Sequence, residues 1–209
     1  MEFKPDCREC PRLAKFLDTV KDKNPNYFCK PVPTFGVSNP KLLIVGLAPG
    51  MHGANKTGRP FTGDFAGILL YQTLFKFGFS SKAVSISADD SLSLIDTRIT
   101  NAVKCLPPEN KPKTTEILQC NKFLSHEIKC IQNKVIILSL GKIAHDAVLM
   151  AFNLKKNHYK FFHGARHEIS SEQILYDSYH CSKYNTQTKR LTADMFENVF
   201  LNIKKEMEK

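Results

Sequence analysis

No stretch of this 209-residue chain approaches the roughly 20 consecutive apolar residues that a membrane-spanning helix requires. The amino end, MEFKPDCREC, lacks the basic-then-apolar order of a secretory signal, so the expectation is a cytoplasmic protein with no membrane partner. Acidic residues are scarce, 20 against 30 lysines and arginines, which leaves a net charge of +10 and a pI of about 9.2. That balance favours polyanionic partners through phosphate neutralisation and counterion release, and hence binding that weakens with salt. Seven cysteines, an odd number with no export signal, argue against a disulfide framework and for metal ligands or reduced core thiols. Hydrophobic residues make up 42% of the chain, enough for one substantial core, and no composition break suggests a boundary within residues 1–209. A single-domain monomer is expected.

What is present centres on residues 41–67, KLLIVGLAPGMHGANKTGRPFTGDFAG. Leu42, Leu43, Ile44 and Val45 form a short, β-branched-rich apolar run of the kind buried on both faces of a parallel sheet. The run stops at Gly46 and opens into a long polar loop at the strand's carboxyl end, where open α/β sheets bind ligands. Five glycines between Gly46 and Gly63 allow backbone to approach a ligand closely. One reading of the loop is a phosphate-binding P-loop, since Gly50, four spacers and Asn55-Lys56-Thr57 nearly match its pattern, and this would make a nucleotide hydrolase. Asn55 stands where glycine belongs, however, and Gly58-Arg59-Pro60 follows where a helix should begin.

Cys7 and Cys10 form a CxxC pair ahead of a short amphipathic helix over Leu13–Val20. Cys105 and Cys120 follow with fourteen residues between them. By spacing alone, four such thiolates suit a tetrahedral zinc and a cubane cluster equally. Cys29, Cys130 and Cys181 fall outside the set, with Cys29 and Cys130 read as small buried hydrophobes.

Elsewhere the pattern alternates strand and helix. Residues 24–39 read as coil, Ile68–Phe77 as a core-packing helix stopped by Gly78, and 80–93 as loop with a possible strand at Val84 and Ile86. Arg98–Cys105 reads as a strand with Ile99, Asn101 and Val103 on one side. From Thr114 a helix presents Ile117, Leu118, Phe123, Leu124, Ile128 and Ile131. Lys134–Leu140 is a second buried strand leading into a helix on which His145 is a satisfied structural histidine. Residues 155–166 suit a nucleic-acid-facing loop or a solvated hairpin equally. Gln173–His180 reads as the last strand, 181–190 as a polar, basic loop, and Thr192 as the cap of a terminal helix. The order implies α/β architecture with a mainly parallel sheet between helices.

Three segments, GLAPGMHGANKTGRPFTGD at 46–64, NAVKCLPP at 101–108 and SYHCS at 178–182, together with the cysteine layout, resemble the uracil-DNA glycosylases, specifically the iron–sulfur family 5, or type B. The resemblance spans nearly the whole chain. It implies a three-layer α/β/α sandwich with a central, mainly parallel four-stranded sheet, and a DNA repair enzyme that hydrolyses the N-glycosidic bond of uracil in single- or double-stranded DNA. It also implies a [4Fe-4S] cluster on Cys7, Cys10, Cys105 and Cys120, and association with the chromosome. Asn101 then reads the edge of a flipped uracil, whose O4 and N3–H an amide matches and whose cytosine counterpart it rejects. His180 stabilises the departing uracil anion, Phe61 stacks on the base, and the turn containing Gly46, Ala48 and Gly50 adds backbone donors. Asp64 orients or activates water, although an Asp after glycine is ordinarily a cap or turn residue. Lys183 and Arg190 face DNA.

The chain departs from the family pattern at three places. Cys181 replaces the proline of a His-Pro-Ser motif, which implies a looser loop, and Phe65-Ala66 replaces Arg-Ser, which implies a missing phosphate-facing cation. Leu47-Ala48 stands where other branches carry a polar or acidic group, which implies a permissive pocket accepting hypoxanthine as well as uracil. A non-catalytic, metal-stabilised nucleic-acid binder would share the charge and the cysteines.

Overall fold

The computed structural model describes residues 1–208. Strands β1 (Phe35–Gly36), β2 (Leu42–Gly46), β3 (Thr97–Asn101), β4 (Val135–Leu140), β5 (Arg166–Glu168) and β6 (Gln173–Ser178) form one sheet in the order β1-β3-β2-β4-β6-β5. The inner four are parallel, as expected, and β1 and β5 add a short antiparallel strand at each edge. The expected four-stranded sheet is therefore six-stranded. Two- and three-residue edge strands carry too little pattern to be read from sequence.

Helices α3 (Phe65–Lys76) and α7 (Ala193–Met207) cover one face of the sheet, and α4 (Thr114–Lys129) and α5 (Lys142–Ala151) the other. The pleat divides β2 between them: Leu42 and Ile44 pack with Leu70, Tyr71 and Phe200, while Leu43 and Val45 pack with Leu124, Ala147 and Val148. Thr192 caps α7 by accepting from the Met195 N–H at 3.2 Å, as expected. No helix among the described residues is long and apolar enough to cross a membrane.

Several local expectations give way to packing. The third strand ends at Asn101 rather than Cys105, and all five of its residues are buried because both faces are covered. Val103 leaves the strand to pack with Leu13 of α1 (Pro11–Lys23) and with Phe123. Val84, Ile86 and Leu118 are exposed, and segment 80–93 contains only an isolated bridge from Ser80 to Leu94. Cys29 is buried but Cys130 is exposed at the end of α4. Residues 181–190 include a short helix, α6 (Lys183–Gln187), capped by the Ser182 hydroxyl. Buried Cys181 anchors its start, and the Asn185 amide donates to the His180 carbonyl at 2.8 Å, so the segment is restrained although proline is missing. Segment 155–166 is tied down as well, with Phe161 edge-on to His145 and His163 stacked on Tyr179.

Lys104 is almost fully buried just after β3, and its ammonium meets Glu127 of α4 at 2.6 Å and the Thr100 hydroxyl. Thr100 in turn donates to the other Glu127 oxygen at 2.7 Å, which closes the network. A buried charge that loses its partner costs about 3–5 kcal/mol. Glu127→Ala should therefore lower unfolding free energy by about that amount in denaturant titration, and a loss below about 1 kcal/mol would show that the pair does not fix this segment.

Candidate active site

The carboxyl ends of the four parallel strands open onto a cavity of about 500 Å³. Of the residues picked out from sequence, Ala48, Gly50, Phe61, Asp64, Asn101, His180 and Lys183 all line it. The sheet register brings them there, because Gly46 at the end of β2 sits beside Asn101 at the end of β3. Gly46 itself does not line the cavity; by lacking a side chain it admits two residues that do, Asn101 and Phe61. A methyl group there would overlap the Asn101 amide oxygen and come within 2.7 Å of the Phe61 ring.

Asn101 is buried, and its side-chain oxygen has no hydrogen-bond partner. Such a group is costly unless a ligand satisfies it. Phe61 and His180 form one aromatic wall, with ring centroids 5.8 Å apart and planes inclined by 29°. That spacing leaves no room for a base between the rings, so a ligand packs against the wall. Enclosure of the His180 ring holds its pKa down to about 4, which keeps the imidazole neutral near pH 7.

Phe61 adopts a left-handed backbone conformation, φ 53°, which is uncommon for a bulky residue and calls for restraint by its surroundings. Its neighbours supply that restraint. The Tyr71 hydroxyl donates to the Pro60 carbonyl at 3.0 Å, and buried Arg59 donates to Thr62 and pairs with Asp90 at 2.6 Å. Burial opposes ionisation of Asp90, yet Arg59 and the amides of Ile86, Leu92 and Ser87 hold its carboxyl well below the usual range. The cation after Gly58 is thus an internal tie and unavailable for phosphate.

Asp64 is the N-cap of α3, accepting from the Gly67 N–H at 2.9 Å, so the ordinary reading of its position holds. It also lines the cavity, where burial raises its pKa against the opposing pull of the Gly67 and Ala66 amides. Lys56-Thr57 closes the four-residue helix α2 (Ala54–Thr57), which ends in left-handed Gly58. A P-loop would begin its helix at that point, so the nucleotide-hydrolase geometry is absent here. Arg190 does not reach the cavity; its guanidinium lies over the Tyr179 ring at 4.7 Å.

Asn110, Lys142 and Ile143 also line the cavity and were missed in the sequence. Lys142 and Ile143 open α5 directly beyond β4, so the strand-end logic applied to residues 41–67 would have found them in the second βα unit.

A second hollow, between α1 and the segment after β3, is lined by Cys7, Cys10, Cys105 and Cys120 together with Leu13, Val103 and Phe123. The Lys104 N–H points at the Cys120 sulfur at 3.3 Å, and Arg12 clamps α1 to α4 through two hydrogen bonds to Glu116, each 2.7 Å. Burial, reinforced by the neighbouring thiols, drives the Cys105 pKa far above its ordinary value, and burial pushes Cys120 up to about 11. Thiolates in this apolar setting need a metal cation beside them. The donor set therefore fits a thiolate-ligated centre.

Residues 33–204 match the model of the uracil DNA glycosylase superfamily. The chain belongs to that superfamily. It is 41% identical over 204 residues to a type-5 uracil-DNA glycosylase of Thermus thermophilus, covering 95% of this chain and 93% of that one. A type-5 enzyme of Pyrobaculum aerophilum is 37% identical over 198 residues, covering 93% and 86%. A type-4 uracil-DNA glycosylase of Saccharolobus solfataricus is 29% identical over 199 residues, covering 92% and 80%. Among solved structures, Pedobacter heparinus SMUG2 shares the fold, with a TM-score of 0.50 and 13% identity over 100% of this chain and 93% of that one. The family 5 resemblance carried by the three segments and the three-layer fold it implied are both borne out.

In a uracil-DNA glycosylase of this geometry the missing side chain at position 46 is a packing requirement of the Asn101 amide and the Phe61 ring. Gly46→Ala should leave the buried strand in place while displacing Asn101 or Phe61, and a displacement near 1 Å costs roughly 100-fold in rate. Single-turnover excision within about threefold of wild type would mean that the cavity adapts to the methyl.

Proposed function

We propose that this protein is a monofunctional glycosylase that excises uracil from DNA by hydrolysing the N-glycosidic bond, leaving an abasic site, and that residues 1–209 act as a single monomeric domain. The observation that carries the reading is the buried, unpartnered amide oxygen of Asn101, a residue that lines a cavity walled by Phe61 and a neutral His180. Uracil supplies the complement: its N3–H donates to the Asn101 carbonyl, and its O4 accepts from the amide N–H₂. Cytosine reverses both patterns and would leave buried groups unpaired.

Bond cleavage builds negative charge on uracil and positive charge on the sugar. A neutral His180 can donate to O2 and strengthen that bond as the base departs, without paying to bury a full positive charge. Asp64 is assigned to orient the attacking water and to stabilise the sugar cation from its fixed position as the α3 cap. Ala48 and Gly50 edge the base, Gly46 makes room for the Asn101 amide and the Phe61 ring that contact it, and Lys183 at the cavity mouth is assigned to phosphate. Arg190 is given the same role on the exposed side of Tyr179. The apolar Leu47-Ala48 wall places few polar demands on a substrate, so hypoxanthine is assigned as a second base. Such an enzyme would work in the cytoplasm on the chromosome.

Single-turnover release of free base from uracil-containing duplex tests this reading. Asn101→Ala should lose base discrimination and rate, whereas Asp64→Asn, which keeps a capping side chain, should lower the chemical step and leave binding nearly intact. Full activity in Asp64→Asn would remove Asp64 from the mechanism. Absence of any uracil release by the wild type would leave a non-catalytic nucleic-acid binder, and failure on hypoxanthine alone would refute the permissive pocket.

We assign a [4Fe-4S] cluster to Cys7, Cys10, Cys105 and Cys120, which the convergent thiols and the resemblance to the iron–sulfur family support. A cluster there would tie the amino-terminal segment to the one that follows Asn101. The protein should then be brown when purified with oxygen limited, and Cys10→Ala should mainly destabilise the fold. One zinc and no iron in protein made with iron and sulfide available would overturn the assignment.

A further inference from the structure

Where α5, β5 and β6 come together, three chemistry-bearing side chains meet that line neither the cavity nor the cysteine hollow. They are His145 on α5, His167 on β5 and Asp177 on β6, and one ligand atom from each lies within 4.8 Å of the others. Asp177 is fully buried, His145 is 1% exposed, and His167 lies nearer the surface. The Asp177 Oδ1 atom accepts from the Ser139 hydroxyl at 2.6 Å and faces His145 Nδ1 at 2.9 Å. The Asp177 Oδ2 and His167 Nε2 atoms are 3.3 Å apart, yet both are buried and neither makes a hydrogen bond.

The tautomer of His145 sharpens the point. Its Nε2 lies 2.9 Å from the Tyr159 carbonyl, which can only accept, so Nε2 carries the hydrogen. In a neutral ring, Nδ1 would then present a lone pair to a carboxylate oxygen 2.9 Å away, an arrangement that needs a cation between them. A proton meets that need at Oδ1 but leaves Oδ2 and His167 Nε2 unserved. A metal ion serves all of them. Two ligands of a tetrahedral zinc with bonds of about 2.0–2.1 Å stand about 3.3–3.4 Å apart, which matches the 3.3 Å His167–Asp177 gap, while the 2.9 Å His145–Asp177 gap has to widen by about 0.4 Å. The supporting contacts, Tyr159 carbonyl on His145 and Ser139 hydroxyl on Asp177, are those that orient metal-ligating imidazoles and carboxylates.

We propose that His145, His167 and Asp177 form a binding site for a zinc-type divalent cation, separate from the cysteine site and from the cavity. Imidazole and carboxylate donors without thiolate suit Zn²⁺, with water from the His167 side completing the coordination. The ion's role is to fasten the short edge strand β5 to β6 and α5.

Zn²⁺ itself is the probe, added to cluster-containing protein after a chelator wash that leaves the iron content unchanged. The wild type should take up one zinc per chain with no loss of iron and with a rise in Tm. His167→Gln, on an edge strand where the variant still folds, should bind at least about tenfold more weakly and show no zinc-dependent rise, while uracil release serves as its folding check. The proposal is overturned if the wild type retains no zinc, if both proteins respond alike, or if zinc enters only as iron leaves, which would put it on the cysteines.

Discussion

The absence of a side chain at Gly46 is the constraint on which the cavity rests. Parallel pairing puts Gly46 directly beside Asn101, and the Asn101 amide and the Phe61 ring share the space a methyl group would fill. Gly67 makes the matching concession from α3, because a methyl there would collide with the Phe61 carbonyl. Phe61 is thus held in a left-handed conformation by a glycine on each side of it and by the Arg59–Asp90 and Tyr71–Pro60 ties behind it. A strained aromatic wall held beside an unpartnered amide is a preorganised surface.

The two sites are mechanically one piece. The five residues from Thr100 to Lys104 join the Asn101 amide to the first of the later cysteines, and the buried Lys104–Thr100–Glu127 network pins that turn to α4, which carries Cys120. Arg12 pins α1, with the two earlier cysteines just ahead of it, to the same helix. Whatever stabilises the cysteine hollow therefore also steadies the Asn101 edge of the cavity.

Charge is arranged by exposure rather than by number. The net +10 lies mostly on exposed side chains, and the cavity combines a neutral His180, an Asp64 whose ionisation is weakened by burial, and apolar walls from Leu47 to Phe61 with two cations, Lys142 and Lys183.

Much of this was legible in the chain. The continuous apolar runs at 42–45 and 135–140 mark strands covered on both faces, and the glycine-rich break after the first locates a ligand crevice, because only the carboxyl end of such a strand opens to solvent there. The motif at 46–64 also carried Phe61 and Asp64 to the cavity, since they lie on the same loop. Tertiary structure decided the rest, wherever a residue's role depends on a neighbour remote in sequence. Arg59 is an internal tie only because Asp90 arrives from a separate loop; segment 181–190 is restrained only because Cys181 finds the core; and His145 acquires its polar partners only when β5 and β6 bring His167 and Asp177 alongside. Local pattern encodes which face of an element is buried, but the identity of the group met there is set by chain crossings that no local pattern records.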